Sequence, residues 1–152
     1  MDVKFKDAYL PVTQLSVSDF TIGMTIEEVE LLLEPLEVNQ EYVYWHGHYF
    51  FRAVNGESVL LEITADEAGR YHVTNVQTTL VSQLATRQDY MSLEKGMSVA
   101  EVIQVVGLPI YTDLYISAIS SLDFPVSDGS ICKVYFTRNY TSPFVLYSIE
   151  FS

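Results

Sequence analysis

Apolar positions along this chain follow two periods in turn. Ile26, Val29, Leu32, Leu33 and Leu36 fall three and four residues apart, as do Val99, Val102, Ile103 and Val106. That spacing lines one face of a helix. Each run opens with a capping box: Thr25 with Glu28, and Ser98 with Glu101. In such a box the cap hydroxyl accepts from the backbone N–H three residues on, and the carboxylate reaches back to the N–H of the cap. Gly23 and Gly96 stand two residues before the caps, where they allow a turn that most side chains resist. Pro35, and Gly107 with Pro109, are expected to end the two helices.

Behind each helix the period changes to two. Strands are expected over Tyr42–Trp45, Tyr49–Val54, Val59–Thr64 and Tyr71–Leu80, and again over Leu114–Ile119, Ser130–Thr137 and Phe144–Phe151. His46-Gly47-His48, Asn55-Gly56 and Asp66-Glu67-Ala68-Gly69 connect the first set. Asn55-Gly56 is the residue pair that a type I′ hairpin turn favours, because both central residues take positive φ. Ser120–Gly129 reads as a longer loop ahead of the second strand of the later set.

The two halves align on each other. Gly23-Met24-Thr25-Ile26-Glu27-Glu28-Val29 matches Gly96-Met97-Ser98-Val99-Ala100-Glu101-Val102 at an offset of 73. At the same offset Val59, Leu61 and Ile63 face Cys132, Val134 and Phe136, and Val76 faces Ile149. Self-similarity of this kind marks a repeat architecture. The expected fold is α+β: two tandem helix-plus-antiparallel-sheet repeats, helices packed on one face of a shared or paired sheet. The first repeat covers 1–80, with its motif starting near Ser18, and the second covers 86–152. Residues 81–90 form a linker with room for a short helix, and the whole fits a single compact domain.

Composition narrows the partner. The chain carries 20 acidic and 8 basic residues, a net charge of −12. Residues 1–76 hold 13 of the acids and 4 of the bases, much of the excess in Glu27, Glu28, Glu30, Glu34, Glu37 and Glu41. Such a surface repels phosphate backbones and anionic membranes, so nucleic acid is not expected as a partner; a basic protein partner or simple solubility fits it, and the glutamate run reads first as a solvated helix face. No apolar run approaches a membrane span. Met1–Lys6 lacks the apolar core of a signal peptide, so the sequence as it stands reads as cytoplasmic; an export signal ahead of it would make the protein secreted or part of the cell envelope.

The paired motifs also carry a resemblance. Phe20-Thr21-Ile22-Gly23-Met24-Thr25-x-x-Glu28-Val29 and Gly96-Met97-Ser98-x-x-Glu101-Val102-x-x-x-x-Gly107-x-Pro109 resemble the signature of the β-lactamase inhibitor protein family, shared with SmpA/OmlA-type outer-membrane lipoproteins. The resemblance implies helix pairs on one side of a sheet, an aromatic face opposite that grips a partner, and two loops that offer it a carboxylate and an aromatic ring. On this chain those positions correspond to Glu57 and to Phe124 in the Ser120–Gly129 loop. The inhibitor's disulfides have no counterpart, since Cys132 is the single cysteine, and its tryptophan-rich face shrinks to Trp45.

Other chemistry is thin. His46-x-His48 with His72 has the reach of a metal site but no Cys, Asp or Glu at ligand spacing, and a polar turn accounts for the pair; no metal or cofactor is expected. Cys132 alternates with Val134 and Phe136, the rhythm of a core residue and not of a nucleophile. No P-loop, G-x-S-x-G or G-x-G-x-x-G occurs, and no catalytic residue is assigned. In the aromatic set from Tyr42 to Phe51, alternation sends neighbours to opposite faces, so either Tyr42, Tyr44 and Phe50 or their neighbours look away from the helices. They do so as half-buried tyrosines or as an exposed recognition patch, to which Tyr42, Tyr44 and Phe50 are the candidates. The reading is a non-enzymatic protein-binding module, inhibitor-like, working through an open sheet face and the Glu57 and Phe124 loops. A cell-envelope assembly factor, a bacterial immunity protein and a small-molecule or catalytic pocket are the alternatives.

Overall fold

The computed structural model describes residues 10–80, 83–110, 119–138 and 143–152. The chain divides into two compact units, one of Leu10–Leu80 and one whose described residues run from 83 to 152. In the first, a short 3-10 turn at Val17–Asp19 leads to helix α1 (Ile26–Glu37) and strands β1 (Tyr42–Trp45), β2 (His48–Arg52), β3 (Ser58–Ala65) and β4 (Tyr71–Thr79). In the second, α2 (Arg87–Met91) and α3 (Val99–Val106) precede β5 (Ile119–Pro125), β6 (Ile131–Thr137) and β7 (Val145–Phe151). The fold is α+β with two antiparallel sheets, ordered β1-β2-β3-β4 and β5-β6-β7. No described helix is long and apolar enough to cross a membrane. The strand expected over Leu114–Ile119 lies outside the described residues except for Ile119, which opens β5.

Both helix starts form the bonds that the sequence motif calls for. Thr25 Oγ1 accepts from Glu28 N at 3.2 Å, and Glu28 Oε1 accepts from Thr25 N at 3.1 Å. Ser98 Oγ accepts from Glu101 N at 3.1 Å, and Glu101 Oε1 accepts from Ser98 N at 2.9 Å. The turn ahead of each cap is stitched to its own sheet. Gly23 N donates to Val73 O and Val73 N to Met24 O; Gly96 N donates to Leu146 O and Leu146 N to Met97 O. Gly107 ends α3 in a positive-φ conformation. Pro35 does not end α1: the helix runs through it to Glu37, and the chain reaches a left-handed conformation only at Gln40, φ 52°.

The core of the first unit lies between α1 and its sheet, with Val29, Leu33 and Leu36 on Tyr49, Phe51, Val59, Leu61, Ile63 and Val73. The opposite face of that sheet is not open at its centre, because Phe50 and Leu60 are also fully buried. Leaving either in water would cost about 1.5–3 kcal/mol. In the second unit α3 buries Val99, Val102, Ile103 and Val106, and Cys132, Val134 and Phe136 are buried along β6.

Two turn and loop expectations are corrected. The type I′ position is His46-Gly47, where both φ angles are positive (43° and 79°), and not Asn55-Gly56, where only Gly56 is positive. Val54-Asn55-Gly56 is instead a three-residue loop closed by Ala53 N to Glu57 O and Gly56 N to Ala53 O. The second correction concerns Ser120–Gly129, most of which is strand. Ile119 to Pro125 pair with Thr137 to Ile131, and the loop shrinks to Ser127-Asp128-Gly129. The strand tolerates its polar residues because Asp123 is paired with Lys133 at 2.9 Å while Leu122 and Phe124 point into the core.

Candidate functional site

The sequence candidates do not gather at one place. Phe124 sits opposite Cys132 on β5 with no exposed surface, so it is no loop residue and offers a partner nothing. Phe50 is buried as well. Glu57 is half-buried at the end of its hairpin loop, its N–H bonded to Asn55 Oδ1 at 3.0 Å. Phe50 also parts company with Tyr42 and Tyr44. The two-residue turn pairs Tyr44 with Tyr49 and Tyr42 with Phe51, which puts both tyrosines on the α1 side of the sheet and Phe50 on the other. The histidines are held by backbone: His48 Nδ1 lies 3.1 Å and 3.0 Å from the carbonyls of Trp45 and His46, and His72 Nδ1 lies 3.4 Å from that of Arg70. Among the described residues no three His, Cys, Asp or Glu side chains converge as metal ligands. Cys132 is buried, and burial pushes its thiol up to about 12, far from the thiolate a nucleophile needs.

What the fold does assemble is a groove in the first unit, about 810 Å³, between α1 and the β1–β2 hairpin. One wall is a stripe of four carboxylates, Glu27, Glu30, Glu34 and Glu37. They follow one another at three and four residues, so α1 turns them all to one side while Val29, Leu33 and Leu36 face the core. The other wall is Tyr42, Tyr44 and Tyr49. Tyr44 and Tyr49 are directly opposed across the hairpin with ring centroids 4.8 Å apart, and Tyr42 lies 6.0 Å from Tyr49. Ile26, Leu31 and Leu33 supply apolar surface between the walls, Leu31 being largely exposed.

The electrostatics of this groove are one-sided. Among the described residues no lysine, arginine or histidine lines it, and no ion pair involves its glutamates. Like charges at these spacings disfavour the helix by about 0.2–0.5 kcal/mol per pair. Glu34 and Glu37 also stand near the helix C-terminus, where the dipole favours cations and no basic residue is present. Burial, then the charges of Glu37 and Glu30, raises the Tyr42 hydroxyl above its ordinary pKa. Burial raises Tyr49 much further, followed by Glu30 and the neighbouring tyrosines. Both phenols therefore stay protonated at any physiological pH.

In the sequence the glutamates read as a solvated face, and no motif marks the groove. The signal that was present is the parity of the hairpin: a two-residue turn at His46-Gly47 places Tyr42 and Tyr44 beside Tyr49. Set against known protein families and curated proteins, the chain matches none.

Proposed function

We propose that this protein is a non-enzymatic binding module that captures a basic protein through the acidic groove of its first unit. The proposal includes a tandem repeat, in which the two units are copies of one plan. Its support is the recurrence of local detail at offset 73. The caps, the glycine and methionine bonds to the sheet, and the three-residue loops closed by Ala53–Glu57 and Val126–Ser130 all recur at that spacing. The register shifts at Glu62/Ile63 and Tyr135/Phe136 do so too.

The observation that carries the functional reading is where the two copies differ. At the same offset Glu27, Glu30, Glu34 and Glu37 correspond to Ala100, Ile103, Gly107 and Ile110, and Tyr49 corresponds to Leu122. The plan thus forms without the carboxylates, so folding does not require them. In the first unit they repel one another with no cation among the described residues to relieve them, an arrangement that costs stability and serves recognition. Masking a basic protein, as an inhibitor or an immunity protein would, suits such a surface.

The test is a variant with Glu27, Glu30, Glu34 and Glu37 all changed to Gln. It should melt at or above the wild-type temperature and fail to retain the basic host proteins that the wild type retains at low salt. Undiminished retention by a folded variant would refute the groove as the contact surface.

A further inference from the structure

The tyrosine end of the groove holds an unusual group. Tyr49 is 5% exposed and borders the groove, yet its hydroxyl has no hydrogen-bond partner among the described residues. The oxygen still reaches solvent, so a donor arriving from the groove can bond it. Beside it the Tyr44 ring is half exposed and is held in place at its far end, where Gly47 N donates to its hydroxyl at 3.2 Å. Glu30 and Glu37 stand across from these rings on α1, close enough to raise the Tyr42 phenol, and Ile26 and Leu31 line the approach with apolar surface.

We infer that this end of the groove seats a single arginine side chain, presented on an extended basic segment of the partner. The inference rests on the groove being the contact surface, and it names what the groove reads. A guanidinium is planar and weakly hydrated, and it carries five N–H donors in a fixed fork. It lies on the face of the Tyr44 ring, where the ring quadrupole attracts it. From there it donates to the Glu30 or Glu37 carboxylate and to the Tyr49 oxygen, which keeps its lone pairs as a phenol. The methylene stem covers the exposed Leu31. A lysine ammonium meets the carboxylates equally well. It does not stack as a plane, and it gives up a tighter hydration shell.

The experiment uses the full chain and three otherwise identical peptides that carry arginine, lysine or citrulline at alternating positions. Affinities are measured by calorimetry and contacts by the ring resonances of Tyr42, Tyr44 and Tyr49. The arginine peptide should bind about five-fold or more tighter than the lysine peptide, because the guanidinium stacks as a plane, donates in a fork and sheds its water more readily than an ammonium. The citrulline peptide, isosteric but neutral, should not bind. Tyr44→Leu should weaken the arginine peptide more than the lysine peptide and so remove the preference. Tyr49→Phe, which keeps the ring, should weaken the arginine peptide about three-fold or more. Equal binding of arginine and lysine would overturn the seat and leave the acidic groove standing. An arginine preference that survives both tyrosine variants would also overturn it. If neither cationic peptide binds or moves the tyrosine resonances, the seat and the groove fall together.

Discussion

Tyr90→Phe removes one oxygen from the second unit and tests how that unit is held. Tyr90, on α2, has no exposed surface, and its hydroxyl donates to Pro125 O at 2.8 Å across 35 residues of chain. Pro125 ends β5, and Ile131 opposite it gives its N–H to Ser152. Tyr90 is therefore the partner that the Pro125 carbonyl has among the described residues. The phenylalanine keeps the ring contacts to Phe124 and Phe151, at 6.1 and 6.2 Å, and leaves a buried carbonyl unsatisfied, which costs about 1–3 kcal/mol. Tyr90→Ala also deletes the ring and should cost about 3–5 kcal/mol. Against about 0.05–0.15 kcal/mol per residue for a native domain, that loss approaches the whole stability of the unit. Cys132 supplies the assay: it is free and buried in β6, so a thiol reagent reaches it only when the unit opens. Where closing outpaces labelling, the rate reports the opening equilibrium. Tyr90→Phe should raise it about 5- to 150-fold, since 1.4 kcal/mol is a factor of ten. A rate within about two-fold of wild type would mean that this hydroxyl contributes nothing to stability, contrary to the usual cost of an orphaned carbonyl.

The other expectations concern turns, caps and charge. Thr25→Ala and Ser98→Ala should each cost about 1 kcal/mol, seen as faster amide exchange in the first turns of α1 and α3; a silent substitution at either site would show that its box is ornamental. Gly47→Ala should cost about 1–3 kcal/mol, read from the urea midpoint of Trp45 emission, because φ is +79° and a Cβ there would sit 2.9 Å from Ile63 O. Acid should weaken the second unit. Glu101 is held below its ordinary value of 4.5 by bonds from the backbone and hydroxyl of Ser98, and Asp128 below 3.8 by the Ser130 hydroxyl, then Arg87 and the Ser130 N–H. A depressed carboxylate stabilises the fold above its unfolded pKa and loses that contribution as pH falls through its folded one. The melting temperature should therefore drop progressively below about pH 4.5, and Asp128→Asn should flatten the curve.

Some of this fold is legible because its signals are local. A capping box needs only four residues, and the bonds at Thr25–Glu28 and Ser98–Glu101 form as the motif dictates. The core positions of α1 and β6 follow from spacing alone. Ser120–Gly129 misleads for a reason that is not local. Three serines, two aspartates, a proline and a glycine have the composition of a loop, yet Asp123 is answered by Lys133 from the next strand, and Pro125 stands last in β5, where no N–H is asked of it. The repeat offset of 73 marks it as strand. Carried past the helix starts, it lays Phe124 on Phe51, Leu122 on Tyr49 and Gly129 on Gly56, all of them strand or hairpin positions.

The groove is a different case, because it belongs to no segment. Its glutamates look like any solvated helix face, and its tyrosines divide between faces until the pairing of β1 with β2 is known. That pairing hangs on His46 and Gly47, both in positive-φ conformations. Glycine enters that region freely; histidine is a several-fold commoner visitor than most residues, though not a cheap one. The turn they make sets Tyr44 against Tyr49, and Gly47 then ties the Tyr44 hydroxyl to the same turn. Since side chains alternate with a period of two, a slip of one residue in β1 would send Tyr42 and Tyr44 to the far side of the sheet from α1. The helix, its cap and its stripe of carboxylates would be unchanged, and the groove would lose its aromatic wall. The candidate site is thus decided less by the residues that line it than by a two-residue turn beside it, which puts an acidic helix and three tyrosine rings on the same side of one sheet.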